Sequence, residues 1–148
     1  MRGLAGFLLA VFLAAAASVE ARAQSNADIA QRWGLIGTWK VDCRAPTSRS
    51  NTAITYAVRQ GQLFMDRSYG DGQDSSTIQS ATLKPGGLLE IVTHISSISQ
   101  TRQFVFSKGP DGRKRALSNR DTNAGTYTVV DGKFTSNGNP TPWQTSCR

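Results

Sequence analysis

The sequence predicts an all-β fold: a single antiparallel meander β-barrel of about eight to ten short strands behind a short N-terminal helical turn, with a β-sandwich as the alternative. Three observations carry that expectation. Apolar and polar residues alternate with period two in short runs, which buries one face of each strand. Turn residues (Gly, Pro, Asn, Asp) recur at about 8–12-residue spacing, which joins such runs by hairpins. No βαβ alternation, repeat or long amphipathic segment interrupts the pattern. A meander with one polar face per strand favours a closed barrel over a Greek-key sandwich.

The chain begins with a segment read as a leader. Met1-Arg2 is positive, Leu4 to Ala17 is apolar, and Ala21-Arg22-Ala23 has the small-x-small form of a signal-peptidase site. The apolar run is shorter than the ~20 residues a spanning helix requires. Residues 1–23 are therefore expected to be cleaved as a signal peptide, leaving 24–148 as a single β-barrel domain, periplasmic or secreted and not membrane-spanning. That length suffices for one domain with its own core.

The elements follow in order. "SNADIAQRWGLIG" has Ser25 or Asn26 as a cap, apolar Ile29 and Trp33 four apart, and Gly34 or Gly37 as a stop, which predicts a short helix or helical turn. In "GTWKVDC", residues 37–43, Trp39, Val41 and Cys43 alternate with Thr38, Lys40 and Asp42. A second strand places Ile54, Tyr56 and Val58 on one face, and Gln60-Gly61 turns it into "LFMDRSY". "GDGQDSS" reads as a loop and "TIQSATL" as the next strand. Pro85-Gly86-Gly87 leads into "LLEIVTHI", the most β-like run, followed by "TRQFVFS", the turn "KGPDGRK", and weaker strands at "RALSNRD", "TYTVV", "KFTS" and "PWQTSCR".

The two cysteines, Cys43 and Cys147, predict one disulfide in an exported chain. Closing a loop of about 105 residues is worth on the order of 4–5 kcal/mol in the chain-entropy model. The bond would bring the first and last strands together and remove two exposed sheet edges. Trp39-x-x-x-Cys43 recurs as Trp143-x-x-x-Cys147. Parallel first and last strands would bring the two tryptophans together, and antiparallel ones would separate them.

The inventory for chemistry is thin. His94 is the single histidine and is expected to be an exposed strand residue, since no nucleophile-elbow motif surrounds Ser96, Ser97 or Ser99. One histidine and two bonded cysteines supply too few ligands for zinc or copper. "DGQD" at 71–74 lacks the oxygen-ligand spacing of a calcium loop, and nothing brings Asp66 and Glu90 together as a carboxylate pair. No catalytic set, metal site or cofactor is expected, and the protein is not expected to be an enzyme. Beyond Ala23 there are 15 basic and 9 acidic residues, a balance that favours anionic partners; export argues against nucleic acid. Arg113, Lys114 and Arg115 form the densest basic cluster and are a candidate anion-binding site, although their place after "GPDG" also suits a charged hairpin end.

"WGLIGTW", Trp33 to Trp39, with a helical turn, Gly-x-Trp on the first strand and a strand meander behind it, resembles the lipocalin and wider calycin pattern. That resemblance implies a barrel whose first-strand Trp packs against a basic residue from a late strand, for which Arg148 is a candidate, and a non-enzymatic role in binding a small apolar or amphipathic molecule. Inward-facing Trp39, Tyr56, Val58, Leu89 and Ile91 would line the site. The competing expectation is a disulfide-closed interaction module, inhibitor-like, that meets an envelope protein or an anionic surface.

Overall fold

The computed structural model describes residues 24–148; the signal-peptide expectation for residues 1–23 lies outside them. A helix, α1 (Asn26–Trp33), precedes ten strands: β1 (Gly37–Lys40), β2 (Ala53–Arg59), β3 (Gln62–Ser68), β4 (Gln73–Lys84), β5 (Leu88–Ile95), β6 (Gln100–Lys108), β7 (Lys114–Asp121), β8 (Tyr127–Val130), β9 (Lys133–Phe134) and β10 (Thr145–Cys147). They form one antiparallel sheet in the order β10-β1-β2-β3-β4-β5-β6-β7-β8-β9. Every strand but the last pairs with its neighbour in sequence, as expected of a meander.

The ladder does not run continuously round a closed barrel, yet its two ends are joined. Between β9 and β10 the chain crosses back over the sheet, bridging Lys133 to Pro140 and Lys114 to Gln144. Thr141 Oγ1 donates to the Ala116 carbonyl at 2.6 Å. Immediately afterwards, Thr145 to Cys147 pair with Lys40 to Thr38 of β1. The segment 140–147 is thus a strap that ties β7 and β9 to β1, and the sheet is rolled into a barrel-like form. Cys43 and Cys147 are bonded, with 5.6 Å between their Cα atoms, and fasten the strap's end. Because β1 and β10 run antiparallel, Trp39 and Trp143 are separated: Trp39 is buried, whereas Trp143 packs outside against Gly109, Arg113 and Arg115.

Helix α1 covers one end of the roll. Ser25 and Asp28 form a reciprocal capping box, and Gly34 ends the helix with φ 79°, a left-handed value that a residue with a Cβ rarely adopts. Its inner face sends Ala30 and Trp33 into the core, followed by Leu35. Trp33 Nε1 donates to the Gly87 carbonyl at 2.8 Å. Lys108 lies over the Trp33 ring at 4.4 Å and donates to the Trp33 carbonyl, so a cation sits where the helix dipole is negative. The β4–β5 register shifts between Ile78 and Ser80, and a bulge leaves backbone groups unpaired. The Asn26 side chain takes two of them, donating to the Gln79 carbonyl and accepting from Ala81 N, both at 3.0 Å.

Two boundaries differ from the sequence expectation. β1 ends at Lys40, not Cys43, because Asp42 turns into a loop held by Asn51, whose Oδ1 accepts from Asp42 N and whose Nδ2 donates to the Asp42 carbonyl. Val41 is consequently 41% exposed. β4 starts at Gln73, inside the expected "GDGQDSS" loop, because Asp74 pairs across the sheet with Arg67 of β3. Among the described residues no helix is long and apolar enough to cross a membrane.

If the strap depends on the disulfide, the Cys43→Ser/Cys147→Ser double variant loses about 2–5 kcal/mol in urea unfolding relative to the oxidised chain. An unchanged urea midpoint would contradict this.

Candidate functional site

Period-two alternation along β7 turns Lys114 and Ala116 inward and Arg113 and Arg115 outward. The basic cluster read from the sequence is therefore not one surface patch. Arg113 pairs with Asp111 at 2.6 Å, Arg113 and Arg115 flank the Trp143 ring at 5.7 and 4.8 Å, and Lys114 is wholly buried. The Lys114 ammonium lies 4.5 Å from the ring centre of Phe106, 5.2 Å from Trp39 and 5.3 Å from Tyr56. It donates to Gln144 Oε1 on the strap. Lys114, not Arg148, is the cation set against Trp39; Arg148 is exposed. Burial lowers the Lys114 ammonium from its ordinary 10.5 to about 7; the ring faces act in the opposite sense by favouring the charged form.

Beside this cage lies a cavity of about 210 Å³ that enters the roll and is open on one side. Its walls include Tyr56 and Ile54 of β2, Met65 of β3, Phe104 and Phe106 of β6, and Ala116 of β7. Val129, Phe134 and the strap residues Thr141, Pro142 and Gln144 close the far side. Phe104 and Phe106 are parallel with centres 5.8 Å apart, and Phe106 meets Tyr56 edge to face at 6.4 Å. Polar side chains that join this apolar lining are Arg67, Asn119, Thr141 and Gln144, with the Tyr56 hydroxyl.

Arg67 is held by Asp74, whose Oδ1 accepts from Nε at 2.8 Å while a second guanidinium nitrogen donates to Oδ2. Asp74 also accepts from Ser97 Oγ at 2.8 Å and Tyr69 Oη at 3.3 Å. Burial pushes the Asp74 carboxyl up, but the hydrogen bonds from Arg67, Ser97 and Tyr69 outweigh it and hold the group below its ordinary range. Burial pushes the Tyr56 phenol well up, only partly offset by the Arg67 charge, so Tyr56 stays neutral.

Of the five residues expected to line a ligand site, only Tyr56 borders the cavity. Trp39, Leu89 and Ile91 are buried at 0–2% exposure in the packed core under α1. Val58 is 43% exposed, because it stands next to the end of β2, where the Gln60-Gly61 hairpin projects beyond the core. His94 is exposed and meets Thr101 Oγ1 at 3.2 Å. Asp66 and Glu90 are each engaged elsewhere, with Arg59 at 2.6 Å and Lys84 at 3.4 Å. Asp71 pairs with Arg49. A wider depression of about 570 Å³ lies over β2–β4, but its charges neutralise one another through the Arg59–Asp66 and Arg67–Asp74 pairs. The lining of the cavity is mostly apolar, with a few polar groups among the rings.

The lowered Lys114 value makes stability depend on pH. Between about pH 7 and 10.5 the unfolded chain holds a proton that the folded chain has released, so stability rises with pH by up to about 1.4 kcal/mol per unit. Above about pH 10 the raised Tyr56 phenol works in reverse, so the clean window is pH 7–9.5. Urea unfolding across that window should show the rise in the natural protein and a flatter profile in Lys114→Met. Identical slopes in both proteins would refute the assignment.

No family model matches the chain, and neither a curated protein nor a solved structure does.

Proposed function

We propose that this chain is an exported, non-enzymatic, calycin-like binding protein that holds a small apolar or amphipathic molecule in the interior cavity. The cavity itself carries the reading: a largely apolar, ring-lined space bordered by a few polar groups, in a roll whose core also buries Ala30 and Trp33 of α1. Gly37 and Trp39, with Lys114 of a late strand set over the Trp, support the calycin resemblance. The disulfide supports an oxidising compartment, periplasmic or extracellular.

Size narrows the ligand. About 210 Å³ exceeds the ~150 Å³ apolar cavity that accommodates benzene but falls short of the roughly 300–1,000 Å³ of drug-sized sites. One or two rings fit; a long acyl chain does not.

A second reading, an interaction module for an envelope protein or an anionic surface, draws on Trp143 between Arg113 and Arg115 on the outer side of β7. It ranks lower because Arg113 is already paired with Asp111.

Filling the cavity tests the carrier reading. Ala116→Phe places a ring where Ala116 borders the space, so indole binding measured by calorimetry should fall at least tenfold while the unfolding midpoint stays within a few degrees. Undetectable binding of indole, toluene and benzoate alike to the natural chain at millimolar concentration, or unchanged affinity in the variant, would sink the reading.

A further inference from the structure

The polar groups around the cavity are unequal in kind. Lys114 Nζ donates to the Gln144 oxygen, so the Gln144 amide nitrogen is turned elsewhere. Arg102 likewise fixes Asn119: its Nη1 points at Asn119 Oδ1 at 3.5 Å, and the Asn119 nitrogen is left over. Arg67 spends Nε and one terminal nitrogen on Asp74, leaving the other terminal nitrogen. Tyr56 Oη, held neutral, makes no hydrogen bond to the described residues, nor does either leftover amide nitrogen, and these groups border the space without being sealed from it. The one hydroxyl on the strap side, Thr141 Oγ1, donates outward to the Ala116 and Gly132 carbonyls. The cavity border is therefore rich in donors and poor in free acceptors.

We infer that the natural ligand is a small aromatic molecule bearing acceptor oxygens, a ring carboxylate above all, with its ring among Phe104, Phe106 and Ile54 and its oxygens toward Tyr56, Arg67, Asn119 and Gln144. This deepens the carrier reading and rests on it. A site whose donors face the ligand without protein acceptors favours a ligand that can accept from them over one that cannot. Charge points the same way. Asp74 is engaged by Arg67, and Asp121 accepts from the backbone N–H groups of Asn123 and Ala124 and lies opposite Arg102, so no carboxylate borders the cavity among the described residues.

Benzoate, toluene and benzylammonium share one ring and differ only in the polar group, so calorimetric titration of the three into the full oxidised protein separates the possibilities. Benzoate should bind at least tenfold tighter than either of the others. Tyr56→Phe, which keeps the ring and removes the hydroxyl, should weaken benzoate about fivefold or more and leave toluene unchanged. Toluene binding with benzoate no tighter, or benzylammonium equal to benzoate, would overturn the acceptor-ligand inference and leave the carrier reading standing. Failure of all three to bind would overturn both. A benzoate affinity unaltered by Tyr56→Phe and by Asn119→Leu would also overturn it.

Discussion

The structure turns on one buried cation. Lys114 carries an ammonium into a space bounded by Trp39 of β1, Tyr56 of β2 and Phe106 of β6, and its one conventional acceptor is Gln144 on the C-terminal strap. Burying an uncompensated ammonium costs several kcal/mol, so the group is tolerated only if the rings and the amide are all in place. That requirement links four parts of the chain far apart in sequence. It also fixes where the strap crosses β7, because the backbone of Lys114 and Gln144 exchanges both hydrogen bonds at 2.7 and 3.0 Å. With Gln144 fixed, Thr145 to Cys147 fall beside β1, and the disulfide holds what the lysine has positioned.

The same arrangement divides the interior. On the α1 side, Trp33, Leu35, Leu89, Ile91 and Ile95 are buried in the hydrophobic core. On the other side, Tyr56 and Phe106, two of the three rings that cage Lys114, border the cavity, and the strap whose Gln144 accepts its hydrogen bond forms part of the wall. Tyr56, Phe106 and Gln144 thus serve both the cage and the cavity. A ligand that engages the Gln144 amide nitrogen would act on the group that satisfies the buried lysine, so binding and the closure of the roll are coupled through a single side chain.

Much of this fold is legible in the sequence because it depends on local period and turn chemistry. The alternation of Ile54, Tyr56 and Val58 and of Phe104 with Phe106, and hairpins such as Gln60-Gly61, are local signals. The disulfide is legible from cysteine count and export. What cannot be read locally is which end of the roll is filled. Trp39, Leu89 and Ile91 point inward as their parity indicates, but they meet α1 and pack, whereas Ile54, Met65 and Ala116, with the same inward parity, border open space. Lys114 was hidden by its neighbours: between Arg113 and Arg115 it reads as surface charge, and only its inward parity next to Ala116 hints otherwise. Asp74 looked like loop because Gly70, Asp71 and Gly72 precede it, and its pairing with Arg67 is a cross-strand event that spacing does not reveal.

The central claim, that the Lys114 side chain is enclosed by three ring faces, is accessible to a direct measurement. Protons held over aromatic faces experience ring-current shielding, so the Lys114 ε-methylene resonances of the isotopically labelled protein should lie far upfield of those of the other lysines. They should move back toward ordinary lysine positions when Trp39→Leu removes one face. Lys114 ε-methylene protons at ordinary solvent-exposed shifts in the natural protein would contradict the account.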